Sequence, residues 1–266
     1  MSPFNMETAT ETLESSIGRT LALHMHYYPW GNGTTPSFPT QSMEDDLAKG
    51  RTPVVSWKCG DLDSNVTAGV DDPLIINTAK AIKAFGAPVF IRWFWEMNIP
   101  DSNGQGNCLG SAGATGYIAA WRHIYDIFIT EGASNVSWLW NPGSNLDHPN
   151  PAPYYPGSGY VDWIGFDGYD KFSDDNFGSV FNSFYVEFSP YGKPILIAET
   201  GECPTEQATY LQSAQTEFEE GTIPLVKGFM YFDATENYTA CSWVFSSSGL
   251  HAFAVMGADP YFQQTP

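Results

Sequence analysis

Seven short, nearly uninterrupted apolar runs recur along this chain, and they constrain the fold more than any other feature. The runs are residues 21–26, 53–57, 88–94, 136–140, 161–166, 194–198 and 226–232. Strands that are apolar on both faces are typical of a parallel sheet covered by helices, whereas a half-exposed sheet shows alternation. The sequence therefore predicts a buried parallel sheet.

Helix-like segments lie between several of these runs, at residues 73–85, 117–129 and 205–220. In the first, Ile75, Ile76, Ala79 and Ile82 form an apolar stripe. Strand-then-helix alternation predicts βαβ units, and 266 residues suit one α/β barrel. We predict an α/β fold, a (β/α)8 TIM barrel forming a single catalytic domain over residues 1–266, with a short eighth strand at residues 66–69.

An open, doubly wound sheet is the alternative fold. Such sheets bind phosphates at a Gly-rich loop after the first strand. Residues 24–30 occupy that place here, and they are crowded with aromatic side chains. The barrel is therefore favoured.

The chain is strongly acidic, with 30 Asp and Glu against 11 Lys and Arg and a formal net charge of -19. This field repels nucleic acid, anionic membranes and polyanionic substrates. No apolar run is long enough to cross a bilayer. We expect a monomer that acts on a neutral polysaccharide or oligosaccharide, with no nucleic-acid or membrane partner; aromatic residues, 15% of the chain, suit stacking on sugar rings.

Four cysteines, at positions 59, 108, 203 and 241, bear on the redox environment. None lies two to four residues from another, so their spacing favours disulfides over a zinc site. Four Asn-X-Ser/Thr triplets begin at Asn32, Asn65, Asn135 and Asn237. We expect a secreted, extracellular protein with no metal and no cofactor.

Two glutamates follow apolar strands in distinctive settings, Glu96 after residues 88–94 and Glu199 after residues 194–198. Active sites of α/β barrels form where the strands end. Alternation along a strand would place Arg92, Phe94 and Glu96 on one side, and Ile195, Ile197 and Glu199 on another. If both sides face the barrel interior, two carboxylates converge on one pocket.

Paired carboxylates are the groups that break glycosidic bonds. One protonates the departing oxygen while the other attacks the anomeric carbon, and a retaining mechanism needs them about 5–5.5 Å apart. Phe94 and Trp95 would form an apolar wall that favours protonated Glu96, and Arg92 would keep Glu199 ionised. Glu96 and Glu199 are therefore the catalytic candidates.

The sequence resembles glycoside hydrolase family 26, which comprises retaining (β/α)8 enzymes including β-mannanases, lichenases and β-1,3-xylanases. The resemblance runs from about residue 20 to residue 235. The matching pieces are residues 56–57, 69–72, 88–98, 141–142, 160–169 and 193–201. It implies that Glu96, after the fourth strand, is the acid/base and that Glu199, after the seventh, is the nucleophile. It also implies that Tyr169, closing the sixth strand, hydrogen-bonds the nucleophile.

Three departures from the family pattern bear on the substrate. Trp95 stands where family mannanases usually carry His, and residues 99–104 replace a Gly and a Trp-rich run. The eighth strand ends Tyr231-Phe232-Asp233 where Trp often lines the sugar site. A specificity other than mannan therefore stays open.

Several further residues are candidates for substrate binding or support. Trp57, Trp140 and Tyr231 would stack on sugar rings or pack in the core, and Trp30 and Trp95 would form cleft walls. His24 and His26 would bind substrate hydroxyls or be packed, hydrogen-bonded histidines. Asp167 would bind a sugar hydroxyl or Arg92, and Asn98 ends the Glu-Met-Asn stretch. Cys59 and Cys108 lie after the second and fourth predicted strands, and Cys203 and Cys241 lie after the seventh and eighth. Of the three possible pairings, these positions favour Cys59–Cys108 with Cys203–Cys241.

Three functions follow as hypotheses. The leading one is a retaining, endo-acting hydrolase of β-linked polysaccharide, of the β-1,4-mannan type. The second keeps the fold and mechanism and acts on β-1,3/1,4-glucan, xylan or another β-glycan, or in an exo mode. The third is a non-catalytic carbohydrate-binding barrel, which would have no need of a matched acid and nucleophile.

Overall fold

A computed structural model describes residues 3–100, 104–143, 148–170, 176–234 and 242–263. All seven predicted strands are present. They are β1 (Leu23–Tyr28), β2 (Thr52–Trp57), β3 (Val89–Trp93), β4 (Val136–Trp140), β5 (Trp163–Tyr169), β6 (Ile195–Gly201) and β7 (Val226–Tyr231). The near-continuous apolar runs located these strands because most of their side chains are buried on both faces.

Eight α-helices lie among the described residues. They are α1 (Pro3–Ile17), α2 (Gln41–Ala48), α3 (Asp63–Thr67), α4 (Asp72–Phe85), α5 (Ala114–Glu131), α6 (Phe177–Phe188), α7 (Gln207–Glu219) and α8 (Ser247–Ala258). The three predicted helices correspond to α4, α5 and α7. In α4 the buried stripe is Leu74, Ile75, Ala79 and Ile82, so Leu74 takes the place predicted for Ile76.

The chain divides into two compact units. The β1–β4 unit is Ala22–Gly165, and the β6–β7 unit comprises Met1–Leu21 with Phe166–Pro266. In the β1–β4 unit, the strands from β1 to the start of β5 are neighbours in chain order and pair in parallel, with Tyr28 opposite Trp57 and Leu139 opposite Trp163. In the β6–β7 unit, β6 pairs in parallel with β7, with Ile195 opposite Val226.

The predicted eighth strand at residues 66–69 is wrong. This segment forms the end of α3 and the turn after it, with Val66 N–H bonded to Leu62 O at 3.1 Å. Asp63 explains the difference, because its buried carboxylate accepts from Gly110 N–H at 3.1 Å and its own N–H donates to Cys108 O at 2.9 Å. These contacts stabilise a helical turn despite the β-branched residues. Consequently Glu96 follows the third strand, not the fourth.

A disulfide joins Cys59, after β2, to Cys108, in the loop after β3, with 6.1 Å between the Cα atoms. This pairing is confirmed. Cys203 is also disulfide-bonded, while its predicted partner, Cys241, lies outside the described residues. No helix in the described part of the chain is long and apolar enough to cross a membrane.

Candidate active site

Glu96 lies in a tight loop, not on a strand. β3 ends at Trp93, so the predicted alternation from Arg92 to Glu96 is wrong beyond that residue. The loop leaves Glu96 half-buried between Trp95 and Met97, which are only 2% and 3% exposed. Glu96 is therefore partly exposed, while the side chains on either side of it are buried.

The backbone of this loop is strained at two residues. Phe94 and Glu96 have φ angles of 48° and 56°, in the left-handed region that non-glycine residues rarely adopt. Each such residue costs on the order of 1–3 kcal/mol and persists only when its surroundings hold it. Here Phe94 N–H donates to Trp57 O at 3.0 Å and Glu96 N–H donates to Asn141 O at 2.8 Å. The loop is thus fixed by the ends of β2 and β4.

Asn98 supports the same loop from the other side. Its amide donates to Gly143 O at 2.6 Å and Pro149 O at 2.9 Å, and its oxygen accepts from Gly143 N–H at 3.0 Å. Gly143 lies close against the loop, since a Cβ added there would be 2.3 Å from Ile99 Cδ1 and 3.5 Å from Glu96 Cγ. Asn98, 3% exposed, therefore acts as a clamp on the segment after β4.

Arg92 is fully buried on β3 among polar and aromatic groups. Its Nε donates to Ser56 Oγ at 2.7 Å, and its guanidinium lies 5.6 Å from the ring centre of Tyr27 and 5.3 Å from that of Trp95. Trp95 contacts Tyr27 edge-on at 5.6 Å. Cation–π contacts of this kind fix a guanidinium and an aromatic wall together.

The tryptophan candidates of this unit pack inside it. Trp57 stacks on Trp30 at 4.4 Å and donates from Nε1 to Trp30 O at 2.9 Å. Trp140 contacts Tyr155 edge-on at 5.1 Å. Trp57 and Trp140 are both 0% exposed. Of the two alternatives that the sequence left open, core packing is the one observed for them.

His24 and His26 point to α2 and share one carboxylate. His24 Nδ1 lies 2.8 Å from Asp46 Oδ1, His26 Nε2 lies 2.5 Å from Asp46 Oδ2, and Arg51 donates to Oδ1 at 3.0 Å. Burial would raise the pKa of Asp46, but hydrogen bonds and charge from both histidines outweigh it and hold that pKa well below its usual value. His24 and His26 are thus packed, hydrogen-bonded histidines, which is one of the two alternatives that the sequence left open.

The same cluster could in principle hold a metal, since the ligand atoms of His24, His26 and Asp46 lie within 4.8 Å of one another. Arg51 argues against that use, because its buried guanidinium already bonds the carboxylate. A divalent cation would add charge beside an existing cation. The arrangement fits a hydrogen-bonded support for β1.

Glu199 lies in β6 within the β6–β7 unit and is 7% exposed. The hydroxyl of Tyr169, the last residue of β5, donates to Glu199 Oε2 at 2.5 Å. The Tyr169 ring stacks on Trp243 at 5.1 Å and meets Phe232 edge-on at 5.9 Å. A Cβ on Gly201 would come within 3.2 Å of Trp243 and Tyr169, so a glycine permits this packing. The family resemblance implied a hydrogen bond from Tyr169 to the nucleophile, and the structure shows a hydrogen bond from Tyr169 to Glu199.

Tyr231 packs within its own unit, which is one of the two alternatives that the sequence left open for it. Its ring stacks on Phe245 at 4.2 Å, and its hydroxyl donates to Glu202 O at 3.3 Å. Asp170 and Glu202, which sequence reasoning did not single out, lie buried beside it at 1% and 0% exposure. The sequence signal that could have pointed to Glu202 was its position, three residues after Glu199.

Comparisons with known proteins identify the family of this chain. Strand-exit glutamates on an α/β framework are typical of barrel glycoside hydrolases. The sequence model for Glycosyl hydrolase family 26 matches residues 21–218. The chain belongs to this family.

Two relatives illustrate the similarity. Endoglucanase H of Acetivibrio thermocellus is 30% identical over 208 residues, 73% of this chain and 22% of the relative. Mannan endo-1,4-beta-mannosidase of Bacillus subtilis strain 168 is 24% identical over 209 residues, 72% of this chain and 54% of the relative. This chain thus spans about a fifth of the first relative and about half of the second.

A solved GH26 beta-mannanase from Bacteroides ovatus, BoMan26A, shares 18% identity with a TM-score of 0.67, covering 94% of this chain and 82% of that one. At this identity the likeness concerns the fold. The predicted α/β fold of the (β/α)8 class is confirmed.

Proposed function

We propose that this chain is an endo-acting, retaining glycoside hydrolase that cleaves neutral β-linked polysaccharide of the β-1,4-mannan type. The observation that carries the proposal is the 2.5 Å hydrogen bond from Tyr169 to Oε2 of Glu199 in β6. A carboxylate oriented by a fixed donor is what a nucleophile needs, because attack on the anomeric carbon depends on geometry.

The proposed reaction is a double displacement. Glu199 attacks the anomeric carbon and forms a glycosyl-enzyme ester while Glu96 gives a proton to the departing oxygen. Glu96 then takes a proton from water, which attacks the ester and releases the sugar with its original anomeric configuration.

The surroundings of Glu96 support its role as acid/base. Its half-buried side chain projects from a loop whose backbone is strained and held by Trp57 and Asn141. A non-catalytic carbohydrate-binding barrel has no need to maintain that strain.

Two observations keep a β-glycan other than mannan as a candidate substrate. Trp95 replaces the histidine usual in family mannanases, and a relative similar over 73% of this chain is named an endoglucanase. A β-1,3/1,4-glucan, xylan or another β-glycan would use the same two carboxylates.

A panel of soluble β-mannan, mixed-linkage β-glucan, xylan and galactan tests the proposal. We expect reducing ends to appear on mannan together with a rapid fall in viscosity, which marks an endo mode. Glu199→Ala should be inactive, while Glu219→Gln, on the exposed face of α7, should match the unmodified protein. Activity confined to another polymer would reassign the substrate, and no activity on any polymer would favour the binding barrel.

We also propose that residues 1–266 form a single catalytic domain that is secreted and monomeric and binds no nucleic acid. The Cys59–Cys108 disulfide supports an oxidising compartment, and the net charge of -19 supports a neutral ligand. Light scattering on the purified protein would test the monomer, and a dimeric mass would contradict it.

A further inference from the structure

Tyr27, near the end of β1, is an aromatic residue that the proposed reaction has not used. It lies opposite Ser56 on β2, and Ser56 lies opposite Arg92 on β3. Ser56 and Arg92 are both 0% exposed, whereas Tyr27 is 37% exposed. Tyr27 is thus the accessible end of a row of side chains that is otherwise buried.

This row lies on the face of the sheet that is turned away from the helices. His26 points to the other face, where it contacts Asp46 on α2, and successive side chains of a strand alternate. On β3, Trp93 packs against aromatic residues of α5, so Arg92 also faces away from that helix. Active sites of α/β barrels form at the ends of the strands, which is where Tyr27 lies.

Two neighbours hold the Tyr27 ring in place. The guanidinium of Arg92 lies 5.6 Å from the ring centre, and its Nη2 donates to the Tyr27 hydroxyl at 3.4 Å. The ring of Trp95 meets that of Tyr27 edge-on at 5.6 Å, and the same guanidinium lies 5.3 Å from the Trp95 ring centre. A side chain that is fixed before its ligand arrives loses little conformational entropy on binding.

The same contacts place Tyr27 beside the proposed acid/base. Trp95, which the Tyr27 ring touches, directly precedes Glu96 in the chain. Trp95 is 2% exposed, so Tyr27 is the member of this aromatic pair that a ligand can reach. A flat ring with accessible surface suits the apolar C–H face of a pyranose, and the net charge of -19 favours a neutral ligand.

Resting on the proposed function, we propose that Tyr27 is a substrate-binding residue whose ring stacks on a pyranose unit of the β-linked chain beside Glu96. The ring supplies the contact, and the hydroxyl serves the bond with Arg92. Arg92 and Trp95 support the ring from behind and are assigned no contact with this sugar unit.

Binding without turnover is the first test. In a Glu199→Gln background, calorimetry measures the affinity for mannopentaose and for cellopentaose. Tyr27→Ala should weaken the tighter of the two interactions about 5- to 50-fold, because the apolar area under the sugar is lost. Tyr27→Phe keeps the ring and should bind about as tightly as the parent. Tyr27→Leu keeps apolar bulk beside Trp95 but has no flat face, so it should resemble the Ala variant.

A matched control separates this effect from the loss of any exposed tyrosine. Tyr261 is 40% exposed and lies in the β6–β7 unit, so Tyr261→Ala should leave the affinity unchanged. Circular dichroism and thermal unfolding check that each variant is folded. On polymer, Tyr27→Ala should raise KM by a factor similar to the loss of affinity and change kcat much less, as expected for a contact made equally in the ground and transition states.

Proton NMR of the bound oligosaccharide gives a signature that a packing role would not produce. Axial C–H protons that lie over an aromatic face are shielded, so their signals should shift upfield with Tyr27 and with Phe at this position. The shift should be absent in the Ala and Leu variants. An equal shift in the Ala variant would show that another ring binds the sugar and would overturn the proposal.

The outcomes distinguish this inference from the proposed function. A protein that binds the oligosaccharide through Tyr27 but hydrolyses no polymer would remove the proposed function and leave this inference standing. Hydrolysis of polymer with an unchanged KM in Tyr27→Ala would leave the function standing and overturn the inference. Unchanged affinity in Tyr27→Ala, or no binding of either pentasaccharide to the Glu199→Gln protein, would also overturn it.

Discussion

The hydroxyl of Tyr169 donates a 2.5 Å hydrogen bond to Oε2 of Glu199, joining the last residue of β5 to a residue of β6. The ring of Tyr169 is itself held by Trp243 and Phe232. The donor therefore does not depend on a mobile side chain for its position. A hydrogen bond of this kind orients the carboxylate of Glu199.

Tyr169→Phe removes this donor and keeps the ring that packs on Trp243. A hydrogen bond to a charged group contributes about 1.5–3 kcal/mol, so kcat should fall about 10- to 150-fold with the fold intact. Steady-state kinetics on polymer and circular dichroism measure the two effects. Tyr261→Phe, at an exposed tyrosine, is the control, and an unchanged kcat in Tyr169→Phe would remove the orienting role.

Glu96→Ala deletes the proposed acid/base and keeps a Cβ at the strained backbone position. Hydrolysis of polymer should fall about 10²- to 10⁴-fold, because the natural leaving group must be protonated. Formation of the covalent intermediate from a dinitrophenyl glycoside should be affected far less, since that leaving group departs as an anion. Equal losses on both substrates, measured by rapid-mixing kinetics, would show that Glu96 is not the acid.

Asn98→Ala removes the clamp between the Glu96 loop and residues 143 and 149. It leaves Gly143 N–H and two backbone carbonyls without their donor or acceptor, and each buried orphan costs about 1–3 kcal/mol. We expect a marked loss of unfolding free energy in urea and a lower kcat. Asn77→Ala, which removes a single exposed bond to Thr34 O, is the control. Equal stability of the two variants would contradict the clamp.

The paired variant Cys59→Ser/Cys108→Ser opens a disulfide whose cysteines are 49 residues apart in sequence. Closing a loop of that length stabilises the folded state by about 2–4 kcal/mol, chiefly through the unfolded chain. The melting temperature should drop accordingly, and dithiothreitol should lower it less than in the unmodified protein. A melting temperature unaffected by the substitutions would show that the bridge does not constrain the unfolded chain.

Sequence reasoning located the strands because both faces of each are buried. Val54, Val55 and Ile91 are completely buried, so their runs are apolar without interruption. The apolar runs at 161–166 and 194–198 end before the strands do, because β5 continues through Tyr169 and β6 continues through Glu199. Polar side chains at these strand ends interrupt the apolar pattern although the strand hydrogen bonds continue.

Other features depended on contacts that periodicity does not encode. Residues 66–69 looked like a strand, but Asp63 bonds to the distant loop at 108–110 and stabilises a helical turn. His26 looked like a site residue, yet Asp46 on α2 receives its bond. The buried acids Asp170 and Glu202 were missed because neither is unusual in the sequence, and their burial follows only from the fold.

Covalent trapping tests the central claim most directly. The protein is incubated with a dinitrophenyl 2-deoxy-2-fluoro-β-glycoside of its preferred sugar, digested at low pH and mapped by mass spectrometry. We predict a single glycosyl ester on the peptide that contains Glu199, with stoichiometric loss of activity. An ester on another carboxylate, or full turnover of polymer with no trapped intermediate and an inverted product, would contradict Glu199 as the nucleophile of a retaining enzyme.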